Sequence, residues 1–152
     1  MCAKTRAINL PGNTIGSTRQ HLYKRAFEQI KKSLLQEFYL EAITIIESII
    51  ADLLERRISW LTQHSERAFS NLGPLKNRLS VLETDASLRD LFDQIDAWRR
   101  TRNEIHEVVK LEESALQKNW DTEYQKFKVV AEEGIKLARD LMKNIRRVNQ
   151  VS

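Results

Sequence analysis

Apolar residues recur along this chain at intervals of three and four, the period of a helix that buries one side. From Ser17 or Thr18, either of which can cap a helix, Leu22, Ala26, Phe27, Ile30, Leu34 and Phe38 trace one such face, and Lys24, Arg25, Lys31 and Lys32 fall off it. A second helix is expected from about Tyr39 to about Gln63. Its apolar set, Ala42, Ile43, Ile45, Ile46, Ile49, Ile50, Leu53, Leu54 and Ile58, covers most of the circumference, which predicts a central place in a bundle. Glu41, Glu47 and Asp52 interrupt this run. Such acids either pair with surface Lys or Arg or orient a basic site residue.

Asn71-Leu72-Gly73-Pro74 breaks the pattern, with one short helix expected from Leu75 to Leu82. A third long helix begins after Asp85 or Ser87 and continues to about Leu111. The last covers about Thr122 to Arg147, with Tyr124, Phe127, Val130, Ala131, Ile135, Ala138, Leu141, Met142 and Ile145 as its apolar face. Gly134 lies inside it, a costly residue for a helix interior unless a neighbouring helix comes close there. Residues 1–16, with Pro11, Gly12, Asn13 and Gly16, read as a loose arm ahead of a single domain over residues 17–149.

With 4 Gly and 2 Pro in 152 residues, the chain lacks the turn residues of a β sandwich or barrel. The expected class is all-α, an antiparallel bundle of four long helices plus a short one. Cys2 is the single cysteine, which excludes an intramolecular disulfide and a cysteine-based metal site. No apolar run approaches the roughly 20 residues of a membrane span, and the first residues lack a signal peptide's apolar stretch. A cytoplasmic protein without a membrane partner is the expectation. The net charge of +4 is compatible with a polyanionic partner but falls short of the dense basic stripe of a dedicated nucleic-acid binder.

Candidate chemistry is concentrated in residues 96–107. Leu88, Leu91, Phe92, Ile95, Trp98, Ile105 and Val109 define one face of the third long helix, and Arg99, Arg102 and His106 fall inside that face. Arg100, Glu104 and Glu107 fall on the solvent side. Charge placed among apolar residues must be paired or reachable by water. Two arrangements satisfy this: a polar cleft in which Arg binds an anion and His moves a proton, or arginines that snorkel and pair with acids of the second helix around a core histidine. Trp98, Ile105 and the Arg/His cluster make this face more polar than a closed core, so a homodimer with two clusters facing each other is expected. His21 and His64 lie outside the pattern and are expected at the surface. No Gly-rich phosphate loop, His-Glu-x-x-His motif or nucleophile elbow is present, which leaves kinase, metalloprotease and hydrolase functions without support.

Arg102-Asn103-Glu104-Ile105-His106, near the end of a long helix in a small all-α protein, resembles the motif of HEPN domains (higher eukaryotes and prokaryotes nucleotide-binding). The family's signature is an Arg, often followed by a polar residue such as Asn, then a His after four to six intervening residues. Here three residues separate Arg102 from His106. Arg100 and Arg99 give five and six, but neither precedes an Asn, and of the two only Arg99 shares the face of His106. The architecture matches over most of residues 17–149.

The resemblance implies a metal-independent endoribonuclease without cofactor, dimeric, of the kind that serves as a toxin or antiviral defence effector with a cognate antitoxin or effector partner. RNA brings its own nucleophile, the 2′-hydroxyl, so an imidazole that titrates near neutral pH suffices as acid or base. His106 would fill that role, Arg102 and Arg99 would hold the phosphate, and Asn103 would orient the phosphate or His106. Products would carry 2′,3′-cyclic phosphate ends. Two alternatives stand beside it: a non-catalytic HEPN-like module binding nucleotide or a protein partner, and an unrelated helical interaction protein whose inward polar residues set partner register.

Overall fold

The computed structural model describes residues 17–63, 71–106 and 120–151, and among these it contains five helices and no strand. They are α1 (Ser17–Leu35), α2 (Tyr39–Thr62), α3 (Leu72–Leu82), α4 (Ala86–His106) and α5 (Trp120–Val151). The all-α class read from the sequence holds. The extension of α4 to Leu111, with Glu107 and Val109, falls outside the described residues, as do the arm 1–16 and His64.

Helix α2 is the axis of the molecule. Ala42, Ile43, Ile46, Ile49, Ile50, Leu53, Leu54 and Ile58 are all buried, and α1, α3 and α5 pack around it. Each fully buried Ile or Leu contributes about 1.5–3 kcal/mol, so the apolar circumference of α2 holds three neighbours at once. Helix α4 closes the arrangement against α5 and α3.

Side-chain pairings fix the directions. Asp52 receives Arg19 and Tyr23 while Glu41 meets Gln29, so α1 and α2 are antiparallel. Trp98 meets Val130 while Asp85 meets Arg147, so α4 and α5 are antiparallel too. Tyr39 pairs with Tyr124, and Arg57 with Asn149, which makes α2 and α5 parallel. The second and fourth long helices thus pack against each other while pointing the same way. Direction alternates along the four long helices, so the second and fourth point the same way, and the all-round apolar α2 draws them together.

Two expectations change. On α1 the inward residues are Tyr23 and Ile30, whereas Leu22 and Phe38 are more than half exposed. The chain also leaves the helix before Phe38, because Glu37 adopts the left-handed conformation. Helix α3 begins at Leu72 rather than Leu75, since Pro74 in the first turn lacks only an N–H that would be unpaired there. At the start of α4 the Asp85 carboxylate accepts the Leu88 backbone N–H at 3.0 Å, an N-terminal cap that starts the helix at Ala86, after Asp85 rather than Ser87.

Candidate functional site

Leu88, Leu91, Phe92, Ile95 and Trp98 turn α4 inward and anchor the helix, so the register of every later residue on it is set. Trp98 Nε1 donates to the Val130 carbonyl at 2.8 Å, and its ring lies against Gly134 of α5. The close approach expected at Gly134 is thus made by Trp98 on one side and Ile46 on the other. Because the same chain covers Trp98, that side chain is not free for a second copy, which removes one of the residues expected at a dimer interface.

Arg99 and Arg102 lie at the margin of the buried face, with 27% and 21% of their side chains exposed. Their long stems carry the charges to the edge, the snorkelling that was one of the two expected arrangements. Arg99 donates to Asp96 Oδ1 through Nε at 3.2 Å and Nη2 at 2.9 Å, and its guanidinium passes Gly73 of α3. Arg100, on the solvent side as expected, reaches Asp96 Oδ2 at 3.0 Å. The hydrogen bond from Arg99 holds the Asp96 carboxyl below the usual carboxylate range against the opposing cost of its burial, with the charges of Arg100, Arg99 and Lys76 adding to it.

Arg102 Nη1 lies 2.8 Å from Glu47 Oε2 on α2, while its Nε is buried with no hydrogen-bond partner among the described residues. Of the three acids that interrupt α2, Glu47 is therefore the one brought to the α4 cluster. Asp52 instead serves Arg19 and Tyr23, and Glu41 accepts from Gln29. Asn103 is exposed. Residue 106 ends the described part of α4 one turn beyond Arg102, on the same side of the helix; the His106 side chain lies outside the described residues. His21 is exposed, as expected.

The most deeply buried charges lie elsewhere. Arg57 on α2 forms a two-pronged pair with Glu83, with Nε at 3.0 Å from Oε1 and Nη2 at 3.0 Å from Oε2, and its Nη1 meets Asn149 Oδ1 at 3.2 Å. The Glu83 carbonyl also accepts from Arg89. Sequence reading missed this network, although a cation at position 57 between Leu54 and Ile58, on the most apolar helix of the chain, was the available signal. A second network joins Arg19, Tyr23 and Asp52 near Arg56. Burial, then Asp52, pushes the Tyr23 phenol well above its usual range, and burial pushes the Arg56 guanidinium down.

On the opposite flank of α4 from Arg99, a groove of about 320 Å³ opens towards α5, lined by Gln94, Trp98, Thr101, Glu133, Lys136 and Leu137 among others. Among the described residues no group of three His, Cys, Asp or Glu side chains could hold a metal ion, and no helix is long and apolar enough to cross a membrane. No protein-family model, curated protein or solved structure matches the chain.

Proposed function

We propose that the chain is a HEPN-like, metal-independent endoribonuclease that works at the C-terminal end of α4, with Arg102 and His106 as catalytic residues. The observation that carries this reading is the presentation of Arg99 and Arg102 on one half-exposed margin, leading by helical register to position 106, with Asp96 and Glu47 each holding one guanidinium in place. A guanidinium fixed in this way needs little reorganisation to meet a phosphate, which is what stabilising a transition state requires. In the reaction His106 takes the proton of the 2′-hydroxyl, the 2′-oxygen bonds to phosphorus, and the 5′-oxygen leaves with a proton supplied by a second imidazole across a two-fold dimer. Arg102 and Arg99 balance the added charge on the phosphate oxygens. Asn103, exposed beside them, orients the phosphate. A toxin or defence effector, held in check by a partner protein, is the setting in which such an activity fits.

A second reading has its own support. Asp96 meets both Arg99 and Arg100, and Glu47 meets Arg102, so much of the local positive charge is already balanced. That favours a non-catalytic HEPN-like module that binds nucleotide or a protein partner. Incubation of the purified protein with total RNA in EDTA separates the two. Cleavage to 2′,3′-cyclic phosphate ends is expected, with His106→Ala and Arg102→Ala reducing the rate about 10²- to 10⁴-fold, Arg99→Ala doing less damage and Arg100→Ala almost none. Wild type that leaves RNA intact, or a His106→Ala variant that cuts equally well, removes the nuclease reading and leaves the module.

A further inference from the structure

Helices α1 and α5 both lean on α2, and a furrow between them is bridged where the Arg139 guanidinium sits 5.5 Å over the Phe27 ring. That contact fixes which flanks face each other. On α1, Lys24 and Lys31 lie three residues before and four after Phe27, so they share its flank. On α5, Lys143 and Arg146 lie four and seven residues after Arg139, and Lys128 lies three turns before it. Six exposed cations therefore border one furrow, from Lys128 to Arg146 over about 27 Å of helix.

Their state differs from that of the α4 arginines. Arg99, Arg100 and Arg102 are all in ion pairs, as are Arg19, Arg57 and Arg147. Among the described residues the six furrow cations have no carboxylate partner. The imbalance is also local. Helix α1 carries Arg19, Lys24, Arg25, Lys31 and Lys32 against Glu28, and α5 from Lys128 onward carries Lys128, Lys136, Arg139, Lys143, Arg146 and Arg147 against Glu132, Glu133 and Asp140, with Glu132 on the furrow flank. The chain's modest net charge of +4 conceals this concentration.

We infer that the furrow between α1 and α5 binds the phosphate backbone of single-stranded RNA, holding the strand on a surface separate from the α4 cluster. The choice of RNA as the polyanion rests on the proposed function; the presence of a polyanion surface rests on the unpaired cations alone. A furrow tens of ångströms long suits an extended polyanion better than a small ion. A membrane surface fits less well, because the aromatic side chain here is the floor of a recess under Arg139 and not a projecting anchor. A positively charged surface that tracks the backbone is one of the means by which proteins hold single strands with little sequence preference.

The test uses a fluorescent single-stranded RNA of about twenty nucleotides, 2′-O-methylated throughout so that it cannot be cleaved, with binding followed by anisotropy over a range of salt. Wild type is expected to bind with an affinity that falls linearly on a log–log plot, by about 0.7 in slope for each phosphate contact. Lys143→Glu/Arg146→Glu should weaken binding on the order of 10- to 100-fold and flatten that slope. Arg25→Glu/Lys32→Glu makes the same change in net charge on the outer side of α1 and should have a much smaller effect. Circular dichroism confirms that both variants fold. Equal losses in the two variants, no binding by wild type, or binding to phosphatidylserine vesicles in preference to RNA would each overturn the inference. RNA binding by the furrow without cleavage of natural RNA leaves the inference standing and removes the nuclease; cleavage that survives intact in the furrow variant, with unchanged binding, does the reverse.

Discussion

A β-carbon at position 134 would sit 2.8 Å from Trp98 Cζ2 and 2.9 Å from Ile46 Cγ2. Neither neighbour can yield easily, because the indole is held by its hydrogen bond to Val130 and Ile46 is fully buried. The glycine is thus retained where α2, α4 and α5 meet although Ala would favour the helix by about 1 kcal/mol. Overpacking costs about 1–3 kcal/mol and outweighs that gain. Gly134→Ala should therefore lower stability by up to about 2 kcal/mol, read as an earlier midpoint in urea unfolding without a change in slope. A stabilised variant would mean that the three helices separate more readily than their packing indicates.

At the scale of the element, α4 is held at its start and at its middle by carboxylates whose protonation weakens it. Asp85 caps the helix and accepts from Arg147 at 2.9 Å, and Asp96 accepts from Arg99. Both carboxyls are held below their ordinary value of 3.8, Asp85 first by the Arg147 hydrogen bond and Asp96 first by that of Arg99. A depressed folded-state value means that the stabilisation is fully present above 3.8 and is lost as pH falls through the lower folded values. Asp85→Asn/Asp96→Asn, which keeps a capping acceptor, should be less stable than wild type at neutral pH, and its thermal midpoint should fall less steeply below about pH 4. Parallel acid profiles for the two proteins would show that these ion pairs do not couple to folding. Local pattern made α2, α4 and α5 legible in the sequence, since each has a core face several turns long that no other phase can satisfy. Helix α1 was read one residue out of phase at its start because Leu22 is as apolar as Tyr23, and only the Asp52 carboxylate on α2 gives Tyr23 a reason to turn inward. The α4 arginines were found from their helical angle, whereas their partners, Glu47 on another helix and Asp96 beneath them, decide how far they are buried. The Arg57–Glu83 pair was not legible as a pair, because it joins residues 26 apart that meet only when α3 has docked.

For the molecule as a whole, the proposed chemistry asks for two proton-transfer groups at one phosphate. Cleavage by 2′-hydroxyl attack needs a proton removed at one oxygen and another supplied at the leaving oxygen, and α4 carries one histidine. A two-fold dimer that brings the ends of two α4 helices together provides the second imidazole without a further residue. The interface would have to use the half-exposed margin with Arg99 and Arg102 and the partly buried Ile105, since Trp98 is already covered by α5. Light scattering at tens of micromolar, on the order of the dissociation constants of weak dimers, should therefore give twice the 17.8 kDa chain mass. A more discriminating measurement mixes wild type with increasing amounts of His106→Ala at constant wild-type concentration. If each active site draws on both protomers, mixed dimers are inactive, and the RNA cleavage rate should fall as the variant is added, towards the small fraction of dimers that remain wild type in both halves. A rate that stays constant throughout the titration, or a monomeric mass, would place all the chemistry within one protomer and remove the composite site.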